Sequence, residues 1–209
     1  MTQHNLGTAY SDLPTGDRGA NLQRAIDCYT AALRVYTEQE FPQDWAMTQH
    51  NLGTAYSDLP TGDRGANLQR AIDCYTAALR VRTEQEFPQD WAATQNNLGI
   101  AYWNLPTGDL EGNLQRAIDC YNAALRVRTE QEFPQEWAET TANIGLVEWT
   151  IARERTDDWQ GRGWDREQMW DRAEQHLEQA ITTFRAIGHA HQVEKSERQL
   201  EELRAERGA

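Results

Sequence analysis

The chain repeats itself, and that limits its fold more than any other feature. Met1 to Ala46 and Met47 to Ala92 agree at every position but one, Tyr36 against Arg82. Ala93 to Ala138 is a third copy that departs from the second at ten positions, and the period throughout is 46 residues. Glu139 onward is a degenerate fourth copy that keeps Asn143, Ile144 and Gly145 where the others read Asn-Leu-Gly. Near-identical segments adopt near-identical supersecondary units. A unit that buries its apolar face only against its neighbours stacks into a linear array.

Each unit reads as two helices. In the second helix of copy one, Leu22, Ala25, Ile26, Tyr29, Ala32, Leu33 and Tyr36 recur every three or four residues, the spacing of one helical face. Across the first junction, Trp45, Leu52, Ala55, Tyr56 and Leu59 form the stripe of a first helix. Pro42 suits a helix start, where a missing N–H costs nothing. Leu13 to Asp17 breaks the chain between the helices, with Asp17 or Asn21 as the N-cap of the second.

The unit resembles the tetratricopeptide repeat. That pattern has Leu-Gly, Tyr three residues on, then Ala-x3-aromatic-x2-Ala in the second helix. Here it is Leu6, Gly7, Tyr10, Ala25, Tyr29 and Ala32, again Leu52, Gly53, Tyr56, Ala71, Tyr75 and Ala78, and again Leu98, Gly99, Tyr102, Ala117, Tyr121 and Ala124. Copy four gives Ile144, Gly145, Ala173, Leu177 and Ala180, with Glu148 in place of the tyrosine. The usual unit has about 34 residues, so each unit here is longer by about twelve. Long units of this kind look like the kinesin light chain subgroup and like arrays in large bacterial, especially cyanobacterial, signalling proteins. The resemblance implies an all-α, right-handed superhelical solenoid of helix-turn-helix repeats. Its first helices would line a concave groove that holds a peptide, and the chain would not be an enzyme.

The expected divisions are repeat 1 over 1–46 with a truncated first helix, repeat 2 over 47–92, repeat 3 over 93–138, a degenerate repeat 4 over 139–187 and a capping helix over 188–209. Gly145 to Ala173 spans 28 residues against 18 in the other copies, which places an insertion at about 152–168, near Trp159 and Trp164. A helix is expected from about Asp165 to Ile187, ended by Gly188, and a charged one from His191 to Arg207. Copy one lacks the Phe-Pro-Gln-Asp-Trp-Ala lead-in and so presents a stacking face, a candidate surface for homo-oligomers. A regulatory segment of a larger multidomain protein is the other alternative to a binding scaffold.

The net charge of −13 repels a phosphate backbone and argues against nucleic acid as a partner. No apolar run reaches the roughly 20 residues that span a bilayer, and the first residues do not read as a signal peptide, so the expectation is a cytoplasmic protein with no membrane partner. Cys28, Cys74 and Cys120 occupy one repeat position and read as small buried thiols rather than disulfides or nucleophiles. His4, His50, His176, His189 and His191 include no i, i+4 pair and read as solvated or groove-facing. The expected catalytic, cofactor and metal residues are therefore none.

The candidate groove comes from comparing the copies. Five of the ten differences between copies two and three lie on the first helix: Met47/Ala93, His50/Asn96, Thr54/Ile100, Ser57/Trp103 and Asp58/Asn104. Their spacing puts them on one face, away from the stacking stripe. With the asparagine before each Leu-Gly or Ile-Gly, the candidate peptide-binding residues are His4, Asn5, Thr8, His50, Asn51, Thr54, Asn96, Asn97, Ile100, Trp103, Asn143, Leu146 and Trp149. Two roles are open for the asparagines: bonding a peptide backbone, or bonding the neighbouring helix. Trp103 and Trp149, with Ile100 and Leu146, are expected to make an apolar end, open to a partner or covered by the insertion.

Overall fold

A computed structural model describes residues 2–154 and 165–208. Among the described residues there are nine α-helices and no strand. They are α1 Gln3–Ser11, α2 Arg18–Ala32, α3 Pro42–Asp58, α4 Arg64–Ala78, α5 Pro88–Trp103, α6 Leu110–Leu125, α7 Pro134–Glu154, α8 Arg166–Ala186 and α9 Ala190–Arg207. The chain divides into two compact units, Met1–Leu110 and Glu111–Ala209.

In the first unit the turns follow from local chemistry. Asp17 and Asp63 cap α2 and α4, their carboxylates accepting the N–H groups of Ala20 and Ala66 at 2.7 and 2.6 Å. Asn21, the competing cap, lies inside α2 and donates to the Thr15 carbonyl at 2.8 Å, which pins the turn. Gly16 and Gly62 take φ of 84° and 82°, a region that penalises a Cβ. Pro42 and Pro88 open α3 and α5. α2 stops at Ala32, so Tyr36, expected on its stripe, lies beyond the helix with its ring edge-on to Phe41 at 5.8 Å. The cause is local: the Thr37 hydroxyl accepts the Glu40 N–H at 3.2 Å, a turn that competes with helix.

α1 and α2 run antiparallel. Arg18, at the start of α2, donates to the Ser11 carbonyl at the end of α1, while Gly7 faces Tyr29. α2 then stacks on α3, burying Leu22, Ile26 and Tyr29 with Leu52, Ala55 and Leu59. Tyr10 and Tyr56 of the repeat pattern pack half-buried against this core, with the Arg24 and Arg70 guanidiniums 5.7 and 5.5 Å from the ring centres. A Cβ on Gly53 would lie 2.8 Å from the Tyr75 ring and 3.2 Å from the Ala71 carbonyl. Gly53→Ala gains up to about 1 kcal/mol of helix propensity but forces overpacking of about 1–3 kcal/mol. A net loss of about 1 kcal/mol in urea titrations is expected.

In the second unit, Ala173, Leu177 and Ala180 are fully buried along α8, as the second-helix pattern requires. Both described ends of the 152–168 stretch, Ala152–Glu154 and Arg166–Gln168, are helical, and α8 begins beside the start expected at about Asp165. α7 continues because Ile151 and Ala152 are buried, and α8 starts where Asp165 caps the Gln168 N–H at 3.0 Å. Trp159 and Trp164 lie outside the described residues. Gly188, at φ 76°, ends α8. α9 buries Ser196, Leu200 and Leu203. Its Arg204 contacts Glu174 and Glu178 at 2.6 Å, and its Arg207 contacts Asp171 at 2.7 Å and Glu167 at 3.1 Å.

Candidate functional site

The first-helix residues singled out above are largely engaged between helices. His4 is buried, so the solvated reading is corrected; its Nδ1 lies 2.9 Å from Thr48 Oγ1 on α3 and its ring packs on Tyr29 at 5.6 Å. His50 repeats the arrangement with Thr94 Oγ1 at 3.0 Å and Tyr75 at 5.6 Å. Each of these threonines also donates to a carbonyl one turn back, Asp44 and Asp90, at 2.7 Å. Thr8 and Thr54 accept the hydroxyls of Tyr29 and Tyr75 at 3.2 and 3.1 Å. Asn51 and Asn97 from the next first helix also act on those hydroxyls, pulling their pKa values down against the effect of burial. Such contacts support a role in holding repeat register for Asn51 and Asn97. Asn5 is exposed, and Asn96 donates to Asn97 at 3.4 Å.

Ile100 and Trp103 are half-buried in the first unit. In the second unit Asn143 is half-buried, but Leu146 is buried, which decides against the open alternative for this residue: in the fourth copy that position is absorbed into the core. Trp149 is half-buried, and its indole N–H donates to Glu206 of α9 at 2.9 Å. Next to it, Glu148 is 0% exposed at the position of the repeat tyrosine, with Arg172 at 2.6 Å from one oxygen and His176 Nδ1 at 2.6 Å from the other.

The one difference between the first two copies has a structural role that the sequence reading missed. Arg82 is buried; it donates to Thr94 Oγ1 at 3.1 Å and approaches Asp90 at 3.7 Å. Burial, reinforced by the Arg82 charge, holds the His50 pKa down at about 3. Burial also lowers that of His4, against an opposing pull from Asp44. Beside Arg82 lies a cleft of about 240 Å³ lined by Gln43, Asp44, Met47, Val81, Phe87 and Asp90. Gln43, Met47 and Thr54 lie on one face of α3, so the cleft continues the face that the sequence comparison picked out.

The three cysteines are free thiols. Burial pushes Cys74 and Cys120 up to about 12, and Cys28, less enclosed, is raised as well. Maleimide labelling of the folded chain is expected to modify Cys28 first, with peptide mapping as the check. Among the described residues no group of three or more His, Cys, Asp or Glu is placed to hold a metal ion, and no helix is long and apolar enough to cross a membrane.

No protein-family model and no curated protein sequence matches this chain. Among solved structures it is similar to the crystal structure of BtubC (BKLC) from P. vanneervenii, at 18% identity and a TM-score of 0.46, covering 97% of this chain and 86% of that one. The Leu-Gly-x2-Tyr and Ala-x3-Tyr-x2-Ala residues fall on successive helices; α1 to α5 pack each on the next in the first unit, and α7 to α9 do so in the second. Among the described residues the chain is all-α, and its repeated helix pairs carry a tetratricopeptide-like pattern.

Proposed function

We propose that this chain is a protein- or peptide-binding scaffold whose partner lies along the first helices, in a concave groove. The observation that carries this reading is the cleft beside Met47, on a first-helix face that stacking leaves half-exposed. The deep ends of that face, His50 and Thr54, are committed to neighbouring helices, so the partner reads the outer positions Gln43, Met47 and Asp58. The reading requires no catalysis, cofactor, nucleic acid or membrane. To test it, peptides selected from a displayed random library are measured against Met47→Arg and Asp73→Arg, the latter an exposed site on α4. Binders weakened by Met47→Arg alone support the groove. Binders indifferent to Met47→Arg refute it.

A second reading, self-association through the face of α1 and α2, rests on a different observation. Leu13 is 38% exposed, whereas Leu59, its equivalent in the second copy, is 6% exposed under the preceding hairpin. Val35 is likewise exposed. A preceding repeat or a second copy would cover both. Sedimentation that turns monomeric on Leu13→Glu supports the second copy, and concentration-independent sedimentation of the unaltered chain removes it.

A further inference from the structure

We infer that the cleft beside Met47 receives a basic side chain, arginine or lysine, from the bound partner; this rests on the groove reading above and names what the groove selects. The walls have two kinds of surface. Met47, Val81 and Phe87 offer apolar contact for a long aliphatic stem, and Ala46 closes the floor. Asp44 and Asp90 supply carboxylates, and Arg82 supplies one guanidinium.

The charge count decides the sign of the guest. Two carboxylates face one guanidinium, so the cleft holds one negative charge in excess, within a chain of net charge −13. Arg82 is directed to Thr94 and Asp90, on the α5 side. On the α3 side, Asp44 acts on His4, whose lowered pKa leaves the ring neutral at physiological pH. An incoming cation therefore completes the set, whereas an incoming carboxylate doubles the excess. The first unit already uses arginine with aromatic rings: Arg80 lies 5.0 Å from the centre of Trp45, and Arg24 and Arg70 cover Tyr10 and Tyr56. Phe87 offers the guest the same kind of surface. The partner is thus a protein segment that presents a basic residue toward the N-terminal turns of α3 and α5.

The experiment follows the methyl group of Met47, one of only three methionines, by NMR in the full chain. The probes are the peptide Gly-Ala-Ala-Arg-Ala-Ala-Gly, blocked at both ends, and twins with citrulline or glutamate in place of the arginine. The arginine peptide is expected to shift the Met47 methyl saturably, and the citrulline twin to bind about threefold more weakly or worse, the scale of a partly exposed ion pair. Asp44→Asn should abolish that difference and Asp44→Glu should keep it, with thermal unfolding confirming that both variants fold. The inference is overturned if the citrulline or glutamate twin shifts the methyl as strongly, if Asp44→Asn leaves the discrimination intact, or if Met47 does not respond. Library-selected binders that still depend on Met47 would then show that only the basic-residue reading has failed, and their absence that the groove reading has failed with it.

Discussion

Replacing Arg172 and His176 together with alanine is expected to destabilise the second unit by about 3–5 kcal/mol, the scale for a buried charge left without its partners. Glu148 is fully buried between these two side chains, while Arg172 is half-exposed and His176 a quarter exposed. The asymmetry matters. If Glu148 is removed, both partners can still be solvated; if the partners are removed, a carboxylate is stranded inside the α7–α8 hairpin. The costs should therefore be strongly non-additive, and adding Glu148→Leu to the double variant should recover part of the loss. Denaturant unfolding of the four combinations checks this. A double variant no less stable than the unaltered chain would mean that Glu148 reaches water.

The first unit should weaken in acid because of His50. Its folded pKa of about 3 lies below the ordinary value of 6.5, so the unfolded chain takes up a proton that the folded chain refuses. The associated stability is fully present above pH 6.5 and is lost progressively as pH falls from 6.5 toward 3. At pH 5 the loss from this residue alone is about 2 kcal/mol. His4, shifted in the same direction, adds to it. His50→Asn places in copy two the residue that copy three carries as Asn96. It should reduce the fall in unfolding free energy between pH 7 and pH 5 by that amount, and an unchanged pH profile would contradict the burial of the ring.

The fold was legible because a 46-residue period repeats every apolar contact three times, so Leu22, Tyr29, Leu52 and Leu59 identify themselves as core by recurrence. The caps were legible for the same reason, since Asp17 and Asp63 precede identical helices. The candidate face was legible only in part. Periodicity places His4, Thr8 and Asn51 on one side of a helix but says nothing of how closely the next helix approaches. That approach turns His4 and Asn51 into links between repeats and Thr8 into a link between α1 and α2. Whether the apolar end is open or covered was not legible: Leu146 goes into the core, and Trp149 is bonded by Glu206, 57 residues further along, with no local signal. The exchange of Tyr36 for Arg82 was visible as the single difference between two copies, yet its meaning required Thr94, on another helix.

The near-identity of copies one and two also bears on how the chain finds its fold. α2 stacks on α3 through Leu52, Ala55 and, just past its end, Leu59, and α5 with the turn after it carries the same residues as Leu98, Ala101 and Leu105. α2 can thus accept α5 in place of α3 with almost the same contacts. The connection then lengthens from residues 33–41 to residues 33–87, a closure penalty of only about 1.6 kcal/mol. Of the first-helix residues that differ in copy three, His50 and Thr54 contact Thr94 and Tyr75 rather than α2, so side-chain complementarity does little to distinguish the correct neighbour. Faithful assembly therefore depends on the nearest hairpin arriving first. In crowded refolding, where another molecule's hairpin arrives as readily, exchange of whole repeats between chains becomes the natural misfolding route.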